Sequence, residues 1–281
     1  MNVTSRPART DERAASPRQL PKRMVEKVWG RDELPAPFAA PDNARIGEIW
    51  FEPPAEMPDL LVKYLFTSEK LSVQVHPSSA QALGDEAGKE ECWLVLDAEP
   101  GAQLAIGFDR QLTPEAVEAA ALDGTIERLL TWHDVAAGDV FHLPTGTVHA
   151  IGPGISLVEV QQNSDTTFRM FDYGRPRELH LERALAVADT GPYPAHLRGS
   201  VERRGMCLVE SDHFRLDRVV GVPGADLRAA YPGAAMVLPL SGAVRSADGA
   251  VSAGAGECLL VPDLDMLDFS AAQITLLTRC Q

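Results

Sequence analysis

From about Ala44 the chain is written as short apolar runs separated by Gly, Pro, Asp and Asn. The runs IGEIWFE (46–52), LLVKYLF (60–66), KLSVQVHP (70–77), ECWLVLDA (91–98) and AQLAIGF (102–108) have the length and the β-branched or aromatic content of strands. The period then changes. Thr113-Pro114-Glu115 offers an N-cap, a proline at the first helical position and an acid in the first turn. Residues 114–130 are therefore expected to form one helix broken near Gly124, or two short ones. Strands resume at 139–146, 147–152 and 155–164, and a second helical stretch covers 180–188. After a Pro/Gly-rich connection, residues 205–281 again read as short strands. Many short strands with Gly/Pro turns predict an all-β-dominated sandwich, barrel or double-sheet jelly roll.

An internal similarity narrows that choice. AAGDVFHLPTGTVHAI (136–151) aligns with GAGECLLVPDLDMLDF (254–269). Two related β-modules are expected. The first carries His142 and His149, and the second has no histidine at either position.

Polar side chains intrude on three of the apolar stretches. In LSVQVHPSS, strand alternation places Ser72, Gln74 and His76 on one face and Leu71, Val73 and Val75 on the other. In GKEECWLVL, Lys89, Glu91 and Trp93 share a face, opposite Glu90 and Cys92. His149 lies in a β-turn-β segment. Polar groups on the buried face of a jelly roll must be satisfied internally, and a divalent cation would satisfy Gln74, His76, Glu91 and His149 together. Their mixed N/O donors suit Zn²⁺, Fe²⁺ or Mn²⁺, and the lack of thiolate favours a catalytic over a structural zinc. His133, His180, His196 and His213 read as ordinary core or surface histidines, and the facing of His142 is open.

Composition sets limits on partners. The 281 residues carry 26 Lys+Arg against 40 Asp+Glu, a net charge of −14, which argues against nucleic acid and anionic lipid as partners. Cys92, Cys207, Cys258 and Cys280 are scattered, so neither a disulfide framework nor a cysteine-rich zinc site is expected. No apolar stretch is long enough to span a membrane and no signal-peptide core is evident, so the expected location is the cytoplasm. Met1 to Arg23, polar and Arg-rich with three prolines, is expected to be a flexible arm. No glycine-rich phosphate loop is present.

LSVQVHP, GKEECWLVL and the long block GDVFHLPTGTVHAIGPGISLVEVQQNSDTTFRMFDYGRPRELHLERAL closely resemble the type I mannose-6-phosphate isomerases in their shorter bacterial form, and KVWG (27–30) resembles that family's N-terminal W-G signature. The resemblance covers roughly residues 24–190. It implies a metal-binding cupin (jelly-roll) module over 24–190 with a helical insertion at 113–131, a linker at 191–204, and a smaller, degenerate cupin over 205–281. It further implies one Zn²⁺ per chain on Gln74, His76, Glu91 and His149. The family's S-D-x-x-x-R motif lands on Ser164, Asp165 and Arg169.

The implied catalytic residues are Lys89, Asp165 and Arg169, with Ser72, Lys89, Arg169 and Arg175 as the expected phosphate ligands. The longer enzymes' lysine beyond Arg169 has no lysine counterpart here, so Arg175 or Arg177 would stand in. The expected activity is interconversion of mannose 6-phosphate and fructose 6-phosphate through an enediolate, by a monomer or homodimer whose partner is the sugar phosphate. The alternatives are an Fe(II) cupin oxygenase and a non-catalytic sugar-binding regulatory bicupin.

Overall fold

The structure, a computed structural model, describes residues 16–281. In chain order the elements are β1 (Arg18–Gln19), β2 (Lys22–Arg31), β3 (Ile46–Phe51), β4 (Leu60–Phe66), β5 (Val73–Val75), β6 (Glu91–Ala98), β7 (Gln103–Phe108), α1 (Pro114–Asp123), β8 (Leu130–Asp134), β9 (Asp139–Leu143), β10 (His149–Ile151), β11 (Ile155–Gln162), β12 (Phe168–Phe171) and α2 (Leu181–Val187). There follow β13 (Arg198–Ser200), α3 (Val201–Arg204), β14 (Cys207–Glu210), β15 (Phe214–Val220), α4 (Ala225–Ala229), β16 (Ala235–Ser246), β17 (Ser252–Gly254), β18 (Leu259–Val261), β19 (Leu267–Asp268) and β20 (Ala272–Cys280).

Two sheets build the first jelly roll, ordered β13-β9-β6-β11-β4-β3-β2 and β12-β5-β10-β7-β8. The second is built on the order β1-β18-β16-β20-β15-β14, with β17 and β19 also paired to β16. The seven-stranded sheet is buried on both faces, which is why β4 reads as an almost unbroken apolar run. Toward the first barrel's interior it turns Leu65, Trp93, Val95, Phe141 and Leu157. On its other face Val62, Tyr64, Phe66, Leu94, Val158 and Val160 pack against Leu208, Phe214, Met236, Leu238 and Leu276 of the second module. The second barrel has its own filling, including Val237, Leu259, Leu267, Phe269 and Leu277.

The expected helix forms, and it breaks where the sequence said. Thr113 Oγ1 accepts a hydrogen bond from Ala116 N at 3.3 Å, and Gly124 ends α1 with φ 79°, a left-handed conformation that costs glycine little. Val117, Ala120 and Ala121 of α1 and Ala184 of α2 cover the outer face of the five-stranded sheet, against Val73, Val75, Ala150 and Phe168.

Two expectations about chain organisation need correction. The arm does not extend to Arg23: β1 pairs with β18 through Arg18↔Leu260 and Gln19↔Leu259, and β2 begins at Lys22 beside Phe51. Leu20 N donates to Cys258 O, and the Leu20 side chain is buried in the core between the modules. The rest of the arm, residues 1–15, lies outside the described residues. The linker at 191–204 also carries structure, because Arg198–Ser200 extends the seven-stranded sheet beside β9. In both places the order comes from backbone pairing with distant strands, which local polarity does not reveal.

Candidate active site

The site is assembled from strands that face each other across the first barrel. His149 of β10 pairs directly with Gln74 of β5, and Arg169 of β12 flanks Gln74 on the other side. From the opposite sheet, Glu91 at the start of β6 faces inward beside Gln161 of β11. His76 lies just past the end of β5. One ligand atom from each of His76, Glu91 and His149 falls within 4.8 Å of the others, and all three residues are buried.

Both imidazoles are set by backbone carbonyls. His76 Nδ1 lies 2.8 Å from Thr166 O, and His149 Nδ1 lies 2.9 Å from Thr147 O. A carbonyl oxygen only accepts, so each Nδ1 carries a proton and each neutral ring offers its Nε2 lone pair. Those Nε2 atoms point at the Glu91 carboxylate, at 3.6 Å from His76 and 3.3 Å from His149. The Gln74 amide stands 3.3 Å from His149 Nε2 and accepts from Ser72 Oγ at 3.0 Å. Burial lowers both histidines, His149 to about 4, which keeps them neutral at ordinary pH.

Burial, together with the like charge of Glu159, pushes the Glu91 carboxyl up. Neither Glu91 oxygen has a hydrogen-bond donor in good geometry, although Lys89 Nζ stands 3.1 Å away and also 3.3 Å from His76 Nε2. A buried carboxylate without proper donors, facing two imidazole lone pairs, is costly unless a cation sits between them. The donors fit a divalent metal of the zinc, iron or manganese class. Cys92 adds no thiolate, since it turns to the opposite face into the intermodule core and burial raises its thiol pKa.

Above the ligand cluster opens a cavity of about 320 Å³. Its walls include Ser72, Gln74, Lys89, Asp165 and Arg169 together with Arg23, Lys27, Trp29, Glu48, Trp50, Lys63 and Arg177. Six of these residues are cationic and two are acidic, so a chain of net charge −14 concentrates positive charge here. Burial and the neighbouring Arg177 lower the Arg169 guanidinium pKa.

Arg175, expected among the phosphate ligands, stands apart from this cavity. Its guanidinium is committed to Lys70 O at 2.8 Å, Asp172 at 3.2 Å and Glu69 at 3.0 Å, and it does not line the cavity. Arg177 does, held by two 2.6 Å hydrogen bonds to the buried Asp172 carboxylate. Ser164 turns away as well, donating to Ala87 O at 2.9 Å. His142, whose facing was open, points to the intermodule side and meets Glu90 at 3.1 Å.

Sequence reasoning missed a buried ionic network beneath the cavity. Lys63 Nζ sits 2.8 Å from Glu159 and 3.4 Å from Glu48. Trp93 Nε1 donates to Glu159 at 2.8 Å and Trp50 Nε1 to Glu48 at 3.0 Å, while Lys27 meets Glu48 at 3.1 Å. Burial opposes the Glu48 charge, but Lys63 and Lys27 outweigh it and hold the carboxyl down at about 2. Burial likewise opposes the Lys63 charge, and Glu159 and Glu48 overcome it, raising the pKa above the usual lysine value. The signal was available: Glu48, Lys63 and Glu159 are each the lone charge in an apolar strand.

Comparison with known proteins bears on this geometry. No family model matches the chain. The chain is 44% identical over 140 residues to the mannose-6-phosphate isomerase of Streptococcus mutans serotype c, covering 47% of this chain and 44% of that protein. It is 41% identical over 144 residues to mannose-6-phosphate isomerase ManA of Bacillus subtilis, covering 48% of this chain and 45% of that one. The matched region thus spans less than half the length of these curated relatives.

Among solved structures, the mannose 6-phosphate isomerase from Bacillus subtilis superposes with a TM-score of 0.76 at 23% identity, covering 94% of this chain and 99% of that one. A zinc-bound mannose 6-phosphate isomerase superposes with a TM-score of 0.66 at 15% identity, covering 95% of this chain and 100% of that one. These likenesses show the paired jelly-roll fold. No helix among the described residues is long and apolar enough to cross a membrane.

Proposed function

We propose that this chain is a metal-dependent aldose–ketose isomerase that interconverts mannose 6-phosphate and fructose 6-phosphate. The observation that carries the proposal is the buried His76/Glu91/His149 cluster at the base of a cation-walled cavity. The relatives' names supply the reaction that this combination suits. Gln74, His76, Glu91 and His149 hold the metal, which we assign as zinc, one per chain. Bound there, it supplies Lewis-acid stabilisation of the negative charge that develops on the sugar oxygens.

The chain's own residues do the rest. Moving a proton between C1 and C2 passes through an enediolate, so the cavity must hold an anion and shuttle protons at its edge. Lys89 Nζ, beside Glu91 and His76, is placed to donate to or accept from a sugar oxygen. Asp165, which also lines the cavity, orients the substrate or relays the proton. Arg169 and Arg177 carry the phosphate, because a guanidinium matches its oxygens in a fork geometry. Ser72, which lines the cavity, steadies Gln74 through its 3.0 Å hydrogen bond and adds a hydroxyl to the phosphate-binding wall.

The buried Trp29 and Trp50 also line the cavity and give it apolar wall. The catalytic module lies mainly within 24–190, and the second module contributes no ligand. We further propose that the protein acts in the cytoplasm as a monomer or homodimer. No observation favours the iron oxygenase or the non-catalytic sugar-binding protein.

A coupled assay on mannose 6-phosphate tests the proposal. Turnover is expected in metal-loaded protein, loss after chelation, and recovery on adding Zn²⁺. Full turnover in metal-stripped protein, or none in the loaded form, contradicts it.

A further inference from the structure

A second and larger cavity, about 520 Å³, lies on the far side of the seven-stranded sheet from the ligand cluster, where the first module meets the second. The shared wall follows from strand alternation: Leu61, Lys63 and Leu65 face the first barrel, whereas Tyr64 and Phe66 face this cavity. Across from them stand Leu240 and Ile274 of the second module. The loop containing Phe38 forms the lid, its ring set edge-on to Tyr64 at 4.8 Å and to Phe66 at 5.5 Å. Protein interiors are close-packed, so a gap of this size between two otherwise well-filled modules is of ligand-site dimensions.

One polar group in it stands alone. Ser156, 2% exposed, lines the cavity, and its Oγ has no hydrogen-bond partner among the described residues. It sits where β11 slips register against β6, between Ser156 and Leu157. Its neighbours on that face of β11, Val158 and Val160, are fully packed. A buried hydroxyl left unpaired in an aromatic pocket costs free energy that a ligand's polar atom would recover. The charged residues Asp97, Glu202 and Arg218 also border the cavity and sum to −1, so a strongly anionic ligand is disfavoured. A sugar phosphate does not match these walls.

We propose that this cavity is a second ligand site, taking a compact, uncharged aromatic molecule with one hydrogen-bonding group directed at Ser156. The site is independent of the proposed isomerase chemistry, because none of the residues assigned to catalysis or metal binding lines it.

The test uses 2-naphthol as probe, titrated by its own fluorescence against the full chain. One saturable site is expected. Ser156→Ala should weaken binding about 5-fold, the value of one hydrogen bond. Leu240→Trp, or Ala255→Leu as a second filling variant, should abolish binding while the melting temperature and turnover stay near wild type. Absence of saturable binding overturns the proposal. So does equal affinity for the Ser156→Ala variant, or undiminished binding by a folded cavity-filling variant.

Discussion

The two jelly rolls of this chain use one strand plan for opposite ends. Aligned as in the repeat, Phe141 and Leu143 correspond to Leu259 and Val261, all facing barrel interiors, while Val140 corresponds to Cys258, both in the core between the modules. The plan matches face for face, yet His149 corresponds to Leu267 and His142 to Leu260. The first interior holds two histidines, three carboxylates and two lysines in contact with one another. The second interior is mostly apolar: its one buried carboxylate, Asp217, is neutralised by Arg215 at 2.6 Å and hydrogen-bonded by Tyr231 at 2.8 Å, and the buried Thr275 adds only a hydroxyl. A jelly roll therefore folds with a largely apolar centre and does not need the buried ionic cluster of the first module, which is the part the proposed chemistry would use.

The sharpest way to break the comparison is to exchange the corresponding residues. His149→Leu should remove the metal and lower turnover by at least about 10³-fold, roughly 4 kcal/mol of barrier, while leaving the fold intact. The reciprocal Leu267→His should create no metal site and should destabilise the protein by about 2–3 kcal/mol, because a single imidazole is buried without partners. Metal content by plasma mass spectrometry and denaturant unfolding read both. A His149→Leu variant that keeps metal and turnover would end the functional distinction between the modules.

The next effect is on acid stability and rests on the buried Glu48 of the first module. Glu48 is held at about 2 in the folded protein, against 4.5 for an unperturbed carboxyl. Its native pKa is depressed, so the stabilisation is complete above about pH 4.5 and is lost as pH falls toward 2. It amounts to about 3 kcal/mol, on the order of the pKa difference converted to free energy. Denaturant unfolding across pH 5 to 2 should show this loss, and Glu48→Gln should flatten the slope. An unchanged slope in the variant would place the acid sensitivity elsewhere.

The smallest effect distinguishes two neighbouring arginines. Arg177→Ala should lower kcat/KM about 10- to 50-fold, mainly through KM, as expected for losing one charge-assisted contact to phosphate. Arg175→Ala should change it less than about 3-fold, since its partners are the surface-facing Glu69 and the loop's own Asp172. The reverse order would reinstate Arg175 as the phosphate ligand.

Much of this was readable in the chain. The strands at 60–66 and 91–98 form over those residues, and the inward faces of Gln74, Glu91 and Trp93 followed from alternation alone. The network of Glu48, Lys63 and Glu159 was not read, although each charge breaks an apolar strand in the same manner as Gln74 and Glu91. Those strands are buried on both faces, so alternation carries no contrast there and a lone charge loses its direction. The boundary near Arg18 was not legible because its partner, Leu260, lies 242 residues away and the pairing is backbone to backbone. Arg175 and Arg177 were indistinguishable from spacing, since a loop rather than a strand sets their directions. Asp172 binds both, Arg177 through Nε and Nη2 and Arg175 through Nη1, but only Arg177 lines the cavity.

Anomalous diffraction at the zinc edge from crystals of zinc-loaded protein tests the central claim most directly. The account predicts a single strong peak per chain, bounded by His76 Nε2, Glu91 and His149 Nε2, with no peak in the second barrel. A peak elsewhere, or none at that position in a preparation that turns over mannose 6-phosphate, would contradict it.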